Sequence, residues 1–441
     1  MKNTITPNPI QAEILALDPL RYLISAGTGA GKTLLALMLA EGRILVVSDK
    51  TLRIKSPFAR DAKLLDMEAP LHISKEDFKK NEPGPCDTLI LDEAEWAFGV
   101  DAMTYSRDKI QYIKTSAVHQ AVLDYITKYQ PKRIYLLSAT PCEKKMQAWA
   151  AARLLGVLKK SDFDSFIKFR DDTHISRPRG YSTLWLENKS EKSKEKVRNF
   201  LRTFGYFGEA EDKVPPKIIP VHIKLTEEQK QYIVATGEKF PEKKAKDDYG
   251  NTIHGAIDEN SAVRNGILYR IECGVFTEHI FDDENHTQKK IYTEIPTNYL
   301  SDLLNIVLKE QNPIIFVQYK KQIEIVKAYM EKHTDLNVVM INGTIKDDVK
   351  AKALNDIEHV PGTVLIAQSS MSAGWQTLIS SATIFASVTQ WRHYHQGMGR
   401  NLRHENRTEE KKVYCLYLGP VSERYWEQVI SDREKFNQSL R

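Results

Sequence analysis

The sequence predicts an α/β protein built as two parallel-sheet lobes in tandem, with helical insertions. Three observations carry that expectation. A chain of 441 residues exceeds what one ordinary hydrophobic core supports, so two lobes are the natural division. Short apolar runs alternate with helical patterns through the first 150 residues, which is the rhythm of βαβ units and a parallel sheet. The same rhythm returns after residue 296.

In order along the chain, the strand-like runs of the first lobe are RYLISA, RILVVS, DTLILDEAE and RIYLLSAT, with TLLALMLAEG as a helical pattern among them. From 151 to 225 the chain turns charged and helical, including ENKSEKSKEKVRN, and then extended in VPPKIIPVHIKL; it reads as a helical insertion and linker. Residues 226–295 are polar and read as a protrusion or mobile loop. Residues 296–441 form the second lobe, with strands in NPIIFVQYK, LNVVMING, GTVLIAQSS, ATIFASV and KVYCLYLG. The expected domains are therefore 1–150, 151–225, 226–295 and 296–441. No repeat of 20 to 50 residues, as solenoids show, is visible.

With 41% hydrophobic and 27% charged residues, the composition is that of a globular protein. No apolar run is long enough to span a bilayer, and the start MKNTITPNPIQAEIL has no signal-peptide pattern, so the expectation is a cytoplasmic protein. Cys86, Cys142, Cys273 and Cys415 lie far apart with no C-x-x-C pair, which argues against a disulfide framework or a zinc site. The net charge of +5 permits nucleic-acid binding without requiring it.

The sharpest local signal is Ala26-Gly27-Thr28-Gly29-Ala30-Gly31-Lys32-Thr33, between the run RYLIS and a helical pattern. Strand, glycine loop and helix occur in the order that phosphate binding requires. Backbone N–H groups from Gly27 to Gly31 can converge on an anion, the Lys32 ammonium can reach the β and γ phosphates, and the Thr33 hydroxyl can ligate Mg²⁺. Ala26 stands where the strict loop has Gly. Downstream, TLILDEAE delivers Asp92 and Glu93 from the end of an apolar strand, on the sheet edge where the loop sits. One carboxylate can hold Mg²⁺ and the other can orient and deprotonate an attacking water. ATP and Mg²⁺ are the expected cofactors.

Taken with Asp92-Glu93-Ala94-Glu95, Ser138-Ala139-Thr140 and Gln396-Gly397-Met398-Gly399-Arg400-Asn401-Leu402-Arg403, the loop resembles the ordered motifs I, II, III and VI of superfamily 2 helicases. The resemblance implies two RecA-like lobes and a nucleic-acid-stimulated ATPase. It implies that Gln396, Arg400 and Arg403 act on the nucleotide from the second lobe, the arginines on charge at the transferring phosphoryl. It implies an adenine-reading role for Gln11. Ser48, Lys50 and Thr51 resemble motif Ia, Gln318 lies in a stretch like motif IV, and Ser370, Gly374 and Gln376 lie in one like motif V; these are the implied nucleic-acid contacts.

Within that superfamily the stretches AWAAARLLGVLKKSDFDSFIKF, VPPKIIPVHIKLTEEQKQY and GWQTL through KKVYCLYLG resemble Snf-type DNA translocases. Two positions depart from that pattern: the box reads DEAE where DEAH is usual, the His there linking motifs II and III, and Lys144 replaces a frequent Asn. The chain's compactness resembles bacterial and phage members of replication or repair gene sets, which implies the cytoplasm of a bacterial or phage-infected cell. The expectation is thus an ATP-dependent DNA helicase or translocase in replication, recombination or repair. Its partners are DNA, duplex ahead of single strands, and replication or repair proteins. No platform of closely spaced aromatics favours single strands; Trp391 and Tyr394, beside motif VI, read as core packing. The rival readings are an RNA helicase and a non-enzymatic ATP-binding scaffold.

Overall fold

The computed structural model describes residues 6–26, 30–48, 57–107, 110–138, 142, 144–159, 161–179, 182–188, 190–208, 216–239, 244–246, 252–257, 259–282, 287–372, 375, 377, 379–400 and 410–440. The chain divides into two compact units, Met1–Glu211 with Lys435–Arg441, and Asp212–Glu434.

Unit 1 runs α1 (Pro9–Leu17), β1 (Arg21–Ala26), α2 (Lys32–Leu39), β2 (Ile44–Ser48), α3 (Pro57–Leu64), β3 (Leu71–Ser74), α4 (Lys75–Lys80), β4 (Thr88–Leu91) and a 3-10 turn (Ala94–Ala97). It continues with β5 (Val100–Arg107), β6 (Ile110–Thr115), α5 (Ala117–Tyr129), β7 (Arg133–Ser138), α6 (Lys145–Leu155), α7 (Asp162–Thr173), β8 (His174–Arg179), β9 (Ser182–Glu187), α8 (Glu191–Arg202) and β10 (Gly205–Gly208). Its main sheet has the order β10-β1-β7-β4-β2-β3, every pair parallel. Strands β4 and β7 are buried along their whole length, as helices on both faces of a parallel sheet demand, and this is why TLIL and RIYLL read as continuous rather than alternating apolar runs. Because the strands are parallel, Ala26, Leu91 and Ser138 all end on one sheet edge.

The segment 151–225, expected as insertion and linker, is divided between the two units. Helix α6 fills the core of unit 1: Trp149 and Ala148, Ala150, Ala151 and Ala152 are fully buried, and Trp149 meets Phe166 of α7 edge-on at 5.3 Å between ring centroids. The charged helix α8 buries Ser193, Val197 and Leu201 on one stripe, so its charges are the solvated face of an amphipathic helix. Strand β10 then joins the sheet beside β1.

Unit 2 opens with β11 (Lys217–His222), α9 (Glu227–Lys239), β12 (Lys244–Lys246), β13 (Thr252–Ile257), α10 (Glu259–Glu272), β14 (Val275–Asp282) and β15 (Thr287–Glu294). It continues with α11 (Tyr299–Val307), β16 (Ile314–Val317), α12 (Lys320–His333), β17 (Asn337–Ile341), α13 (Asp347–His359) and β18 (Thr363–Gln368). A 3-10 turn (Ser369–Met371), β19 (Ala382–Phe385), α14 (Trp391–Met398), β20 (Lys412–Tyr417) and α15 (Pro420–Leu440), as far as Glu434, complete it. Its main sheet is also parallel throughout, ordered β11-β20-β19-β16-β18-β17. Residues 226–295, expected as a polar protrusion or mobile loop, carry helices that pack on this core. Leu268, Tyr269, Ile271 and Cys273, around the end of α10, are buried in it. The Tyr269 hydroxyl donates to the Val388 carbonyl at 3.0 Å and accepts from the Val388 N–H at 2.9 Å.

All four cysteines are free thiols. Among the described residues no helix is long and apolar enough to cross a membrane.

Candidate nucleotide site

In unit 1 the loop after β1 meets α1 as well as α2. Asn8 caps α1 by accepting from the Gln11 N–H at 2.9 Å, the Gln11 side-chain oxygen accepts from the Asn8 N–H at 2.9 Å, and Pro9 opens the helix. The Gln11 amide then donates to the Gly31 carbonyl at 3.1 Å. Position 31 requires glycine twice over: its φ is +76°, and an added Cβ would lie 2.5 Å from the Gln11 amide nitrogen. Gln11, expected at the adenine, is therefore placed as a brace between α1 and the phosphate loop, with part of its amide donor capacity remaining. Ala30 is buried, while Gly27, Thr28 and Gly29 lie outside the described residues.

Lys32 and Thr33 begin α2. The Lys32 ammonium donates to the Ala26 carbonyl at 2.6 Å, so it lies across the mouth of the loop. Thr33 is half-buried in the first turn, where the helix dipole favours anions.

The carboxylates arrive from β4. The Asp92 N–H donates to the Val47 carbonyl at 2.9 Å, and the Asp92 carboxylate accepts from the Glu93 N–H at 3.1 Å. Burial, followed by repulsion from Glu93, pushes the Asp92 carboxyl up to about 7, against the opposing pull of the Lys32 ammonium. Glu93 sits at φ +49°, a left-handed conformation uncommon for a non-glycine residue and frequent where strain serves function. It turns the chain sharply after the strand. The Trp96 indole N–H holds that turn by donating to the Asp92 carbonyl at 3.0 Å.

Asp92 and the Thr33 hydroxyl supply hard oxygen ligands. Among the described residues, no group of three or more His, Cys, Asp or Glu side chains gathers to hold a metal. Mg²⁺ is commonly held by one or two carboxylates together with phosphate oxygens and water.

Glu95 and Ser138 form a contact that no motif announced. Both side chains are buried, and the Ser138 hydroxyl donates to the Glu95 carboxylate. The Glu of DEAE therefore joins the carboxylate turn to the end of β7, where the resembling family uses His. Ala139 and Thr140 lie outside the described residues.

In unit 2, α14 packs against the motif V stretch. Gln396 is buried and accepts from the Ser372 hydroxyl at 3.4 Å. Arg400 is 4% exposed, donating to the Gln396 carbonyl at 2.8 Å and the Trp375 carbonyl at 2.6 Å. Its guanidinium binds the two motif stretches together within the unit. Gly397 lets the helix approach its sheet, since an added Cβ would come 2.8 Å from the Phe385 ring. Tyr394 packs on Phe385 and Trp426 in the core, as expected, and Trp391 is also buried. Arg403 lies outside the described residues.

Of the expected nucleic-acid contacts, Ser48 is buried, with its hydroxyl 2.6 Å from His72 Nε2. Gln318 is half-buried; its N–H donates to the Ser387 hydroxyl at 2.7 Å, and its side-chain oxygen is buried with no hydrogen-bond partner among the described residues. Ser370 is exposed at the turn after β18. Lys50, Thr51, Gly374 and Gln376 lie outside the described residues. Asn8 could have been found in the sequence, because Asn8-Pro9 with Gln11 is a capping-box pattern. Ser387, which also donates to Gln322 at 2.6 Å, carried no such signal.

Two α/β units, each with a six-stranded parallel sheet, have the architecture of tandem RecA-like lobes. Residues 297–405 match the family model of the helicase conserved C-terminal domain, and this match supports a superfamily 2 helicase acting with nucleic acid. No curated protein matches the chain.

Proposed function

We propose that this protein is an ATP-dependent DNA translocase or helicase that converts ATP and water to ADP and phosphate and moves along its track. The observation that supports the reading is that Lys32, Asp92 and Glu93 follow parallel strands that end at one edge of the unit 1 sheet. In this reading Lys32 and the N–H groups of the loop hold the phosphates, Thr33 and Asp92 hold Mg²⁺, and Glu93 orients and deprotonates the attacking water. Bound Mg²⁺ would supply charge neutralisation at the phosphates.

Arg403 is assigned to charge developing on the transferring phosphoryl, as the helicase resemblance implies. Arg400 is assigned first to holding motifs V and VI together, because its guanidinium is committed to two carbonyls. Lys50, Thr51, Gln318, Ser370, Gly374 and Gln376 are proposed track contacts; phosphate contacts of this kind position a motor without choosing bases. DNA over RNA, duplex over single strands, and a place in replication, recombination or repair rest on the Snf-type resemblance.

Glu93→Gln tests the reading. It is expected to bind ATP with near wild-type affinity and to lose turnover by at least 100-fold, of the order general-base removal produces. Wild-type hydrolysis by this variant would remove Glu93 from the chemistry.

A further inference from the structure

Away from the nucleotide loop, unit 1 contains a cavity of about 520 Å³. Two of its walls are the chain segments that leave the catalytic sheet edge. Gly99–Ala102 continue from the turn bearing Glu93 and Glu95 into β5, and Lys144 and Met146 follow Ser138 into α6. The β8–β9 hairpin forms another wall with Trp185 and Glu187, and Lys114 at the end of β6 joins the rim. The hairpin is tied to α6, since the Glu187 carboxylate accepts from the Lys145 N–H at 2.8 Å. The Trp185 indole is fixed by the Arg170 guanidinium, stacked 3.7 Å from the ring centroid.

We infer that this cavity takes one unpaired nucleobase of the bound strand and reports its presence to the carboxylate turn. The inference rests on the nucleic-acid reading above. The cavity lies within the size range of small-molecule sites. Here Trp185, Met146 and Val100 offer apolar and aromatic surface to a flat ring. The Glu187 and Asp101 carboxylates can accept from a base N–H, such as thymine N3–H, as Glu and Asp do from the cytosine amino group. Lys114 and Lys144 are exposed cations at the rim, suited to the phosphates flanking the base. A ring seated there bears on Gly99 and Val100, the residues that follow the 3-10 turn, and so on the backbone that orients Glu93. Within a duplex track, an unpaired nucleotide would therefore raise both affinity and turnover relative to a fully paired one.

The test compares three duplex DNAs at one ionic strength: fully paired, with a single-thymidine bulge, and with an abasic bulge. The wild-type protein is expected to bind the thymidine bulge about tenfold more tightly than the abasic one, a typical stacking effect, and to show a higher kcat with it. Trp185→Ala is expected to lose that discrimination while keeping its affinity for paired duplex. A 5-iodouracil at the bulge, irradiated in the complex with wild-type protein, is expected to crosslink to Trp185 or to the β5 and α6 walls, which needs no variant to fold. Equal wild-type affinity for the thymidine and abasic bulges overturns the inference. So does discrimination that survives in Trp185→Ala, or a crosslink confined to unit 2. Failure to bind even paired duplex overturns the DNA reading itself, an outcome distinct from paired-duplex binding without discrimination.

Discussion

Asp92 is a carboxyl group held where ionisation is costly, buried beside Glu93. Its folded-state value, about 7, lies above the ordinary 3.8. A group raised in this way favours the fold fully at low pH, and that contribution fades as pH climbs from about 4 through about 7. In metal-free protein, Asp92→Asn is expected to raise Tm at pH 8 and to leave it unchanged near pH 4. Thermal melts across that range check this, and an equal gain at both ends would contradict the assigned cause. The same charge that costs stability is what a metal-bound nucleotide would compensate. Lys32→Ala, which removes the cation facing it, is expected to weaken ATP binding by at least tenfold, measured by titration with a fluorescent analogue; unchanged affinity would remove Lys32 from the phosphates. Gln11, Asp92 and Glu93 were legible as residues because each sits in a local pattern. The burial of Ser48 and Arg400 was not, because whether a hydroxyl or guanidinium faces solvent or a neighbouring strand depends on contacts distant in sequence.

The turn Ala94–Ala97 is the element through which the box meets β7, by the bond from Ser138 to Glu95. Removing the hydroxyl takes a donor from a buried carboxylate, so Ser138→Ala is expected to cost about 1–3 kcal/mol. Glu95→Gln retains an acceptor for Ser138 and is expected to keep most activity, whereas Glu95→Ala is expected to lower kcat with less effect on the KM for ATP. Steady-state kinetics with a thermal melt separates this positioning role from mere packing, for which Glu95→Ala would lower stability and leave the kcat of the folded enzyme unchanged. Helix α6 is the corresponding element of the core. Trp149→Ala is expected to destabilise unit 1 by about 3–5 kcal/mol, seen in denaturant melts, while a change below about 1 kcal/mol would mean that α6 is peripheral. The strands were readable because a doubly covered parallel strand must be apolar throughout. The helix of 259–272 was less so, because in α10 the buried residues crowd one end. A composition average sees the charges first.

At the scale of the whole molecule, two parallel sheets in tandem were legible because the same strand-helix rhythm occurs twice. The division within 151–295 was not, because pairing of β10 with β1 and of β11 with β20 joins residues far apart in sequence. A protein that follows a phosphate backbone through Lys and Arg should lose affinity for DNA log-linearly with salt, with a slope set by the phosphates neutralised. Binding isotherms at several salt concentrations check this, and a salt-independent affinity would contradict it. The central claim is that ATP hydrolysis is driven by a nucleic-acid track, DNA before RNA. The measurement that bears on it most directly is the ATPase rate against the concentration of blunt duplex, a matched single strand and a matched RNA, at one ionic strength, with a polymer-free control. The account predicts stimulation by duplex DNA at least equal to that by the single strand and greater than that by RNA. Stimulation by RNA alone, or a rate that no polymer changes, would contradict it.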